Sequence, residues 1–357
     1  MKKSIALLLA LVMVVCLCAC GSSSSSGKAT PAPAASSWPN GDVTLLAGYA
    51  VGSLTDVSVR VVGDYIHEKT GATVIYENND VGGGANLITK LMSAKPDGQT
   101  MMYIGMNTIM NFYNGLWSVN PSDWTKFKIV CSSVQPYPNS GCMVLTQADA
   151  PYSSWDELAK YAEEHPGEIT VASIPGKVMD TKMKALFIGT GLSDKVRWVS
   201  TTNADASAGL LGGIINCVML DEITALGYLK DGGVKAIINC RVESDYLDTM
   251  YANKAEAEAI KAVPSLVDVF GQEKAETLMV PNRSMFIVPA DTPDEICEQI
   301  RSLVDQLANE NEGEWLERKT SSGGTSTYYP FDPKEVMKEW ERLNPILEDI
   351  VKANQAG

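Results

Sequence analysis

The sequence predicts an α/β protein of two lobes with a ligand cleft between them. Three observations carry that expectation. Short apolar runs alternate with helical patterns from Asp42 onward, the alternation occurs twice along the chain, and several of the predicted strand-to-helix loops are rich in glycine. Strand–helix alternation builds a sheet with helices on its faces, and two such stretches build two lobes.

Val43 to Ala47 reads as a buried strand. From Asp56 to Lys69, Val57, Val61, Val62, Tyr65 and Ile66 recur at helical spacing, and Gly71 closes the helix. Thr73 to Tyr76 is a second strand. Ala85 to Ala94 places Leu87, Ile88, Leu91 and Met92 on one helix face, and Pro96-Asp97-Gly98 turns into a third strand, Thr100 to Ile104. The pattern resumes with a helix from Ser154 to Glu164, ended by Pro166-Gly167. A strand at Ile169 to Ala172 follows, then a helix carrying Met179, Met183, Leu186 and Phe187. Further strands are expected at Val196–Val199, Ile214–Leu220, Val234–Asn239 and Met285–Val288. Amphipathic helices are expected at Asp294–Leu307 and Asp332–Val351.

The first residues bear on compartment. Lys2 and Lys3 precede an uninterrupted apolar run, Ile5 to Val15, too short to span a bilayer as a helix but suited to a signal-peptide core. Leu17-Cys18-Ala19-Cys20-Gly21 resembles a bacterial lipobox. Residues 1–19 are therefore expected to be a lipoprotein signal peptide, and Cys20 the lipidated N-terminus of a chain anchored to the membrane outside the cytoplasm. Residues 20–37 hold serine, alanine and proline with almost no bulky apolar side chain, the composition of a flexible tether. No second long apolar segment follows, so no transmembrane helix is expected in the mature protein.

There are 29 basic and 43 acidic residues, a net charge of −14. That balance argues against nucleic acid and anionic lipid as partners. It does not exclude an anionic ligand, whose site is governed by local donors. Cys131, Cys142, Cys217, Cys240 and Cys297 follow Cys20, none at metal-ligand spacing. They read as buried small apolar side chains, with one disulfide as the alternative. His67 and His165 are the only histidines, little material for a histidine-based catalytic or zinc site. No metal or cofactor is expected.

Open α/β sheets bind ligands beyond the C-terminal ends of their strands, which points to the loops after Ala47, Tyr76, Ile104 and Ala172. The first is Gly48-Tyr49-Ala50-Val51-Gly52-Ser53-Leu54-Thr55-Asp56, running into a helix. The second, Asn78-Asn79-Asp80-Val81-Gly82-Gly83-Gly84-Ala85-Asn86, does the same, and the third is Gly105-Met106-Asn107-Thr108. Glycine lets backbone N–H groups approach a ligand, and a helix N-terminus adds unpaired donors and a positive dipole end. Together they predict an anion clamp built from backbone. Neither GxxxxGK[ST] nor GxGxxG occurs in these loops, so nucleotide and phosphate readings are poor.

Here the chain resembles the substrate-binding component of tripartite tricarboxylate transporters, the Bug family. The first loop fits that family's PFxxGGxxD in register. Glu77-Asn78-Asn79-Asp80-Val81-Gly82-Gly83-Gly84 fits ENRPGAGG, and Pro96-Asp97-Gly98-Gln99-Thr100 fits PDGYT. Leu210-Leu211-Gly212-Gly213 fits LLGG, and Phe286 to Pro293 fits FxxPAGTP. The five motifs fall in order between Asp42 and Leu307. The resemblance implies a two-lobed periplasmic-binding-protein-like fold of type II. It implies that the first two loops hold one carboxylate of a small ligand, and that membrane permease subunits receive it. It also implies lobe one from residues 38–140 plus 262–357 with the C-terminal helices, and lobe two from 141–261. Where the family has SAGNGSPSH, this chain has Ser173-Ile174-Pro175-Gly176-Lys177-Val178-Met179-Asp180-Thr181, so ligand identity does not carry over.

Candidate ligand contacts follow. Gly52, Ser53, Gly83 and Gly84 are expected to offer backbone donors, and Thr55 and Asn107 side-chain donors. Tyr49 and Thr108 lie in the same loops. Asp56 is expected as an N-cap, or as an acceptor for loop N–H groups or a bridging water. In the second lobe Ser173 and Thr181 flank the cleft loop, and Lys177 is expected to pair with a second carboxylate. Asp180 could bind an amino group or cap the helix starting at Met179, and Asp221 follows a strand end and is expected either at the cleft or on the surface. Lys182 and Lys184 are expected to face solvent. The expected function is a monomeric solute-binding lipoprotein without catalysis. A sensor lipoprotein for a membrane receptor kinase, or an extracytoplasmic enzyme acting on small acids, remain as alternatives.

Overall fold

The computed structural model describes residues 37–174, 177–251, 253–320 and 326–356. The expected signal peptide, lipidated Cys20 and nearly all of the tether lie outside the described residues, as do Pro175 and Gly176.

The chain enters its first sheet on β1 (Val43–Ala47), whose apolar run is buried between neighbours. Then come α1 (Leu54–Thr70), β2 (Val74–Asn78), α2 (Ala85–Met92), β3 (Thr100–Gly105) and α3 (Met106–Tyr113). Strands β4 (Phe127–Ser132) and β5 (Val134–Pro136) lead to the crossing into the second lobe. There β6 (Cys142–Gln147), α4 (Trp155–Glu164), β7 (Thr170–Ser173), α5 (Val178–Gly189) and β8 (Arg197–Ser200) follow. They continue into α6 (Asn203–Leu211), β9 (Val218–Asp221), α7 (Glu222–Lys230) and β10 (Val234–Asn239). Four short helices come next, α8 (Asp245–Met250), α9 (Lys254–Lys261), α10 (Leu266–Phe270) and α11 (Gln272–Leu278). The chain then returns on β11 (Ser284–Pro289) and ends with α12 (Asp294–Val304), α13 (Gly313–Thr320), β12 (Ser326–Tyr328) and α14 (Pro333–Ala356).

The two sheets share one topology. The first is five-stranded, in the order β2-β1-β3-β11-β4, with β1, β2 and β3 parallel and β11 antiparallel to both its neighbours. In the second lobe β6 lies antiparallel between β9 and β10, and β7 pairs parallel with β8. A parallel bridge between Val171 and Cys217 joins the two pieces, with the Ala172 N–H donating to the Cys217 carbonyl at 2.9 Å. The order is therefore β8-β7-β9-β6-β10. In each lobe the antiparallel strand is the one that arrives from the other lobe.

Beyond the expected strands lie β4 and β6. They follow one another with only β5 between them, so a search for strand–helix alternation passes over them. The return to the first sheet comes later than residue 262. Leu266, Ala275, Leu278 and Met279 belong to the core around Trp155 and Phe187 in the second lobe, whereas Val280 belongs to the core of the first. The two crossings run side by side, with the Asn282 N–H donating to the Pro138 carbonyl at 2.7 Å.

Helix α14 lies against both lobes. Val336, Trp340, Leu343 and Leu347 share one cluster with Leu87, Ile104 and Met285 of the first lobe and with Ala185 of α5. The consequence for α5 is large, because it is buried on every side from Asp180 to Phe187. Lys182 and Lys184 therefore do not face solvent. The five cysteines after Cys20 are free and buried. Burial pushes their thiols up, Cys142 to about 11 and Cys217 to about 12, which makes them poor nucleophiles.

Candidate functional site

Two cavities meet where the lobes face each other. The first, of about 290 Å³, draws on Leu54 and Thr55 at the start of α1, Met106 and Asn107 at the start of α3, and Val178 at the start of α5. Three helix N-termini thus converge on one space. Each leaves backbone N–H groups without intrahelical acceptors and presents its positive dipole end. The remaining polar lining is neutral and comprises Tyr49, Ser58, Tyr103, Gln135, Asn282 and Ser284.

These neutral groups are held by one another. Tyr103 donates to Ser284 Oγ at 2.7 Å, and the Ser284 N–H donates to the Gln135 side-chain carbonyl. The Tyr49 ring stands edge-on to Tyr103 at 5.6 Å. Burial pushes the Tyr49 hydroxyl up to about 12 against a hydrogen bond with Thr108, so it stays a proton donor at neutral pH. Asn107 differs from its neighbours. Its Oδ1 is buried with no hydrogen-bond partner. A half-turn of the amide would present Nδ2 in the same place at almost no steric cost.

The sequence-predicted residues divide sharply. Tyr49, Thr55 and Asn107 line this cavity. Thr108 lies just behind it, accepting from the Gly105 N–H at 2.6 Å and donating to the Gly105 carbonyl at 2.8 Å. Gly52 is not a free donor, because its N–H goes to Asp56 Oδ2 at 2.8 Å. The Ser53 N–H goes to the Ala50 carbonyl, while its hydroxyl caps the Asp56 N–H. Asp56, 1% exposed, also accepts from Arg60 Nε at 2.9 Å and Asn78 Nδ2 at 2.8 Å. Burial alone would raise its pKa, but these three donors outweigh burial and hold the carboxyl below its ordinary value. Asp56 shapes the loop and does not line the cavity.

Gly83 and Gly84 also do different work from the expected clamp. The Gly83 N–H donates to the Asp80 carbonyl, and both residues have positive φ, 65° and 86°. A Cβ on Gly84 would come within 2.6 Å of the Gly48 Cα. The glycines let the first and second loops pass backbone to backbone, and it is the first and third loops whose residues line the cavity.

The second cavity, of about 260 Å³, lies on the lobe-two side and shares Asn282 with the first. Lys182, Asp221, Glu222 and Tyr251 line it. Asp221 caps α7, accepting from the Thr224 N–H at 3.0 Å and the Thr224 hydroxyl at 2.7 Å. Glu222 is buried and accepts from Asn239 at 2.8 Å, Tyr246 at 2.7 Å and Tyr251 at 3.2 Å. Lys177 is exposed and lines neither cavity. Asp180 is locked between the Ile174 N–H at 3.0 Å and Lys184 Nζ at 2.9 Å, and Ser173 accepts from Lys184 at 2.8 Å. The Thr181 hydroxyl donates back to the Lys177 carbonyl at 3.3 Å. Ser173, Asp180 and Thr181 thus support the loop from behind. Sequence reasoning missed Lys182 and Glu222. Lys182 follows Met179 by three residues on the helix, a spacing that places both on one face.

Among the described residues no group of three or more His, Cys, Asp or Glu is placed to hold a metal ion, and no helix is long and apolar enough to cross a membrane. Two lobes of one topology, joined by paired crossings and enclosing neutral donors, define a two-lobed solute-binding protein of the periplasmic type. Residues 58–319 match the tripartite tricarboxylate transporter family receptor, TctC, and the chain belongs to that family. A UPF0065 protein of Cupriavidus necator is 28% identical over 206 residues, a match that spans 57% of this chain and 60% of the relative. A TctC solute-binding protein from Polaromonas superposes with a TM-score of 0.66 at 17% identity, over 88% of this chain and 99% of its own. MatC from Rhodopseudomonas palustris with bound malate gives 0.56 at 19% identity, over 88% and 100%. A further Rhodopseudomonas palustris protein with adipate gives 0.55 at 16%, over 88% and 98%.

Proposed function

We propose that this protein is the extracytoplasmic, lipid-anchored receptor of a tripartite tricarboxylate-type transporter. It captures a small carboxylate between its lobes and passes it to membrane permease subunits, and it catalyses no reaction. The observation that carries this reading is the convergence of three helix N-termini on a cavity with neutral lining, where the buried Oδ1 position of the Asn107 amide has no partner. A carboxylate fills such a site well. It accepts several N–H bonds at once, and it meets no fixed negative charge in the lining. The relatives with malate and adipate lend support, since both ligands are small carboxylates. Cys20 would tie the receptor to the membrane beside its permease.

A thermal-shift screen of mono-, di- and tricarboxylates tests the reading. A true ligand at a hundredfold its Kd adds about 2.7 kcal/mol of stability. If no carboxylate raises the melting temperature, the reading fails. Cys20→Ala should release the protein from the membrane fraction, and retention there would remove the anchor.

A further inference from the structure

We propose that Lys182, not Lys177, meets the far anionic group of the bound ligand, and that the cavity it borders admits one such group and disfavours a further one. This rests on the carboxylate reading above and deepens it.

Lys182 is 2% exposed, and its Nζ donates to the Ser140 carbonyl at 3.0 Å. That carbonyl and the Cys142 thiol, with which Lys182 also hydrogen-bonds, are both neutral, and an ammonium has three N–H bonds to place. Among the described residues no carboxylate forms an ion pair with Lys182. Two positions further on, Lys184 is equally buried but pairs with Asp180 at 2.9 Å. One helix therefore carries two buried cations, one in an ion pair with an aspartate of the same helix and the other, among the described residues, in no ion pair. An unmatched buried charge is costly, and an incoming anion removes the cost.

The cavity beside Lys182 offers room for that anion. It shares Asn282 with the first cavity, and its Met179 follows directly on Val178, which lines the first. A ligand with one carboxylate at the helix N-termini can thus extend its other end to Lys182. Asp221 and Glu222 border the same space, each held by its own donors and neither within ion-pair distance of Lys182. One cation is matched by one anionic group. A third carboxylate on the ligand would face two fixed ones.

Isothermal titration of the full extracytoplasmic chain would decide it. The probes are succinate, glutarate and adipate, their monocarboxylate partners butyrate, valerate and hexanoate, and tricarballylate. We expect a dicarboxylate to bind best, and Lys182→Met to weaken it by about thirtyfold or more while monocarboxylates change little. Lys177→Ala should leave both classes unchanged. Lys182→Met should melt no lower than the wild type without ligand, since an apolar group replaces an unmatched charge. Dicarboxylate binding that survives Lys182→Met, or equal losses for both classes, overturns the assignment while leaving the carboxylate reading intact. Loss of the fold in Lys182→Met, or tightest binding by tricarballylate, also overturns it. No binding of any probe to the wild type overturns both.

Discussion

The loops after the first parallel strand of each lobe are built on one plan and end in different electrostatics. After β1, Asp56 in the first turn of α1 draws back the Gly52 N–H and pairs with Arg60 four residues on. After β7, Asp180 in the first turn of α5 draws back the Ile174 N–H and pairs with Lys184 four residues on. In both lobes an aspartate that looks available for ligand is consumed in fixing the loop. What differs is the surroundings. The Arg60 side chain is 37% exposed, whereas that of Lys184 is 4% exposed. The cavity beside α1 is lined by neutral groups, whereas the one beside α5 holds Lys182, Asp221 and Glu222. The shared device ties each aspartate to a backbone N–H of its loop and to a cation one turn on, and the charges that line the two cavities are what differ.

Substitutions can break this comparison in graded steps. Asp180→Ala removes the carboxylate that pairs with a buried ammonium and should cost about 3–5 kcal/mol in urea denaturation. Asp56→Ala removes a partner from a half-exposed guanidinium and two further donors, and should cost less, about 1–3 kcal/mol. Equal effects would mean that burial does not distinguish the two locks. Gly48→Ala would press a Cβ to 2.6 Å from the Gly83 carbonyl oxygen, and a loss of about 1–3 kcal/mol is expected in the same assay.

The smallest effect is one of pH. The Asp56 carboxyl is held below its ordinary value in the folded state. Its contribution is therefore complete above about pH 4, the unfolded carboxyl's range, and is lost as pH falls through the lower folded value. The stability gap between wild type and Asp56→Asn should narrow when denaturation is repeated in that acid range. A gap that stays constant with pH would remove the Asp56 charge from the account.

The βα units and the helix starts that line the first cavity were legible because periodicity and helix starts are local signals. Thr55 and Asn107 were found that way. Lys182 was not, since its side chain is buried by distant chain, with its ammonium at the Ser140 carbonyl 42 residues earlier, while α14 packs on α5 at Ala185. Gly83 and Gly84 misled for a related reason. Glycine signals close approach, but what approaches here is the Gly48 backbone. The strands β4 and β6 escaped because their partners are supplied by distant chain.

The central claim is that the first lobe holds one carboxylate through neutral donors, whatever the rest of the ligand carries. Titrating Asn107→Ala with a binding dicarboxylate and with its monocarboxylate partner tests this most directly. Equal losses of about 1–3 kcal/mol are expected for both, because Asn107 serves the group they share. No loss, or a loss confined to one class, would contradict the claim.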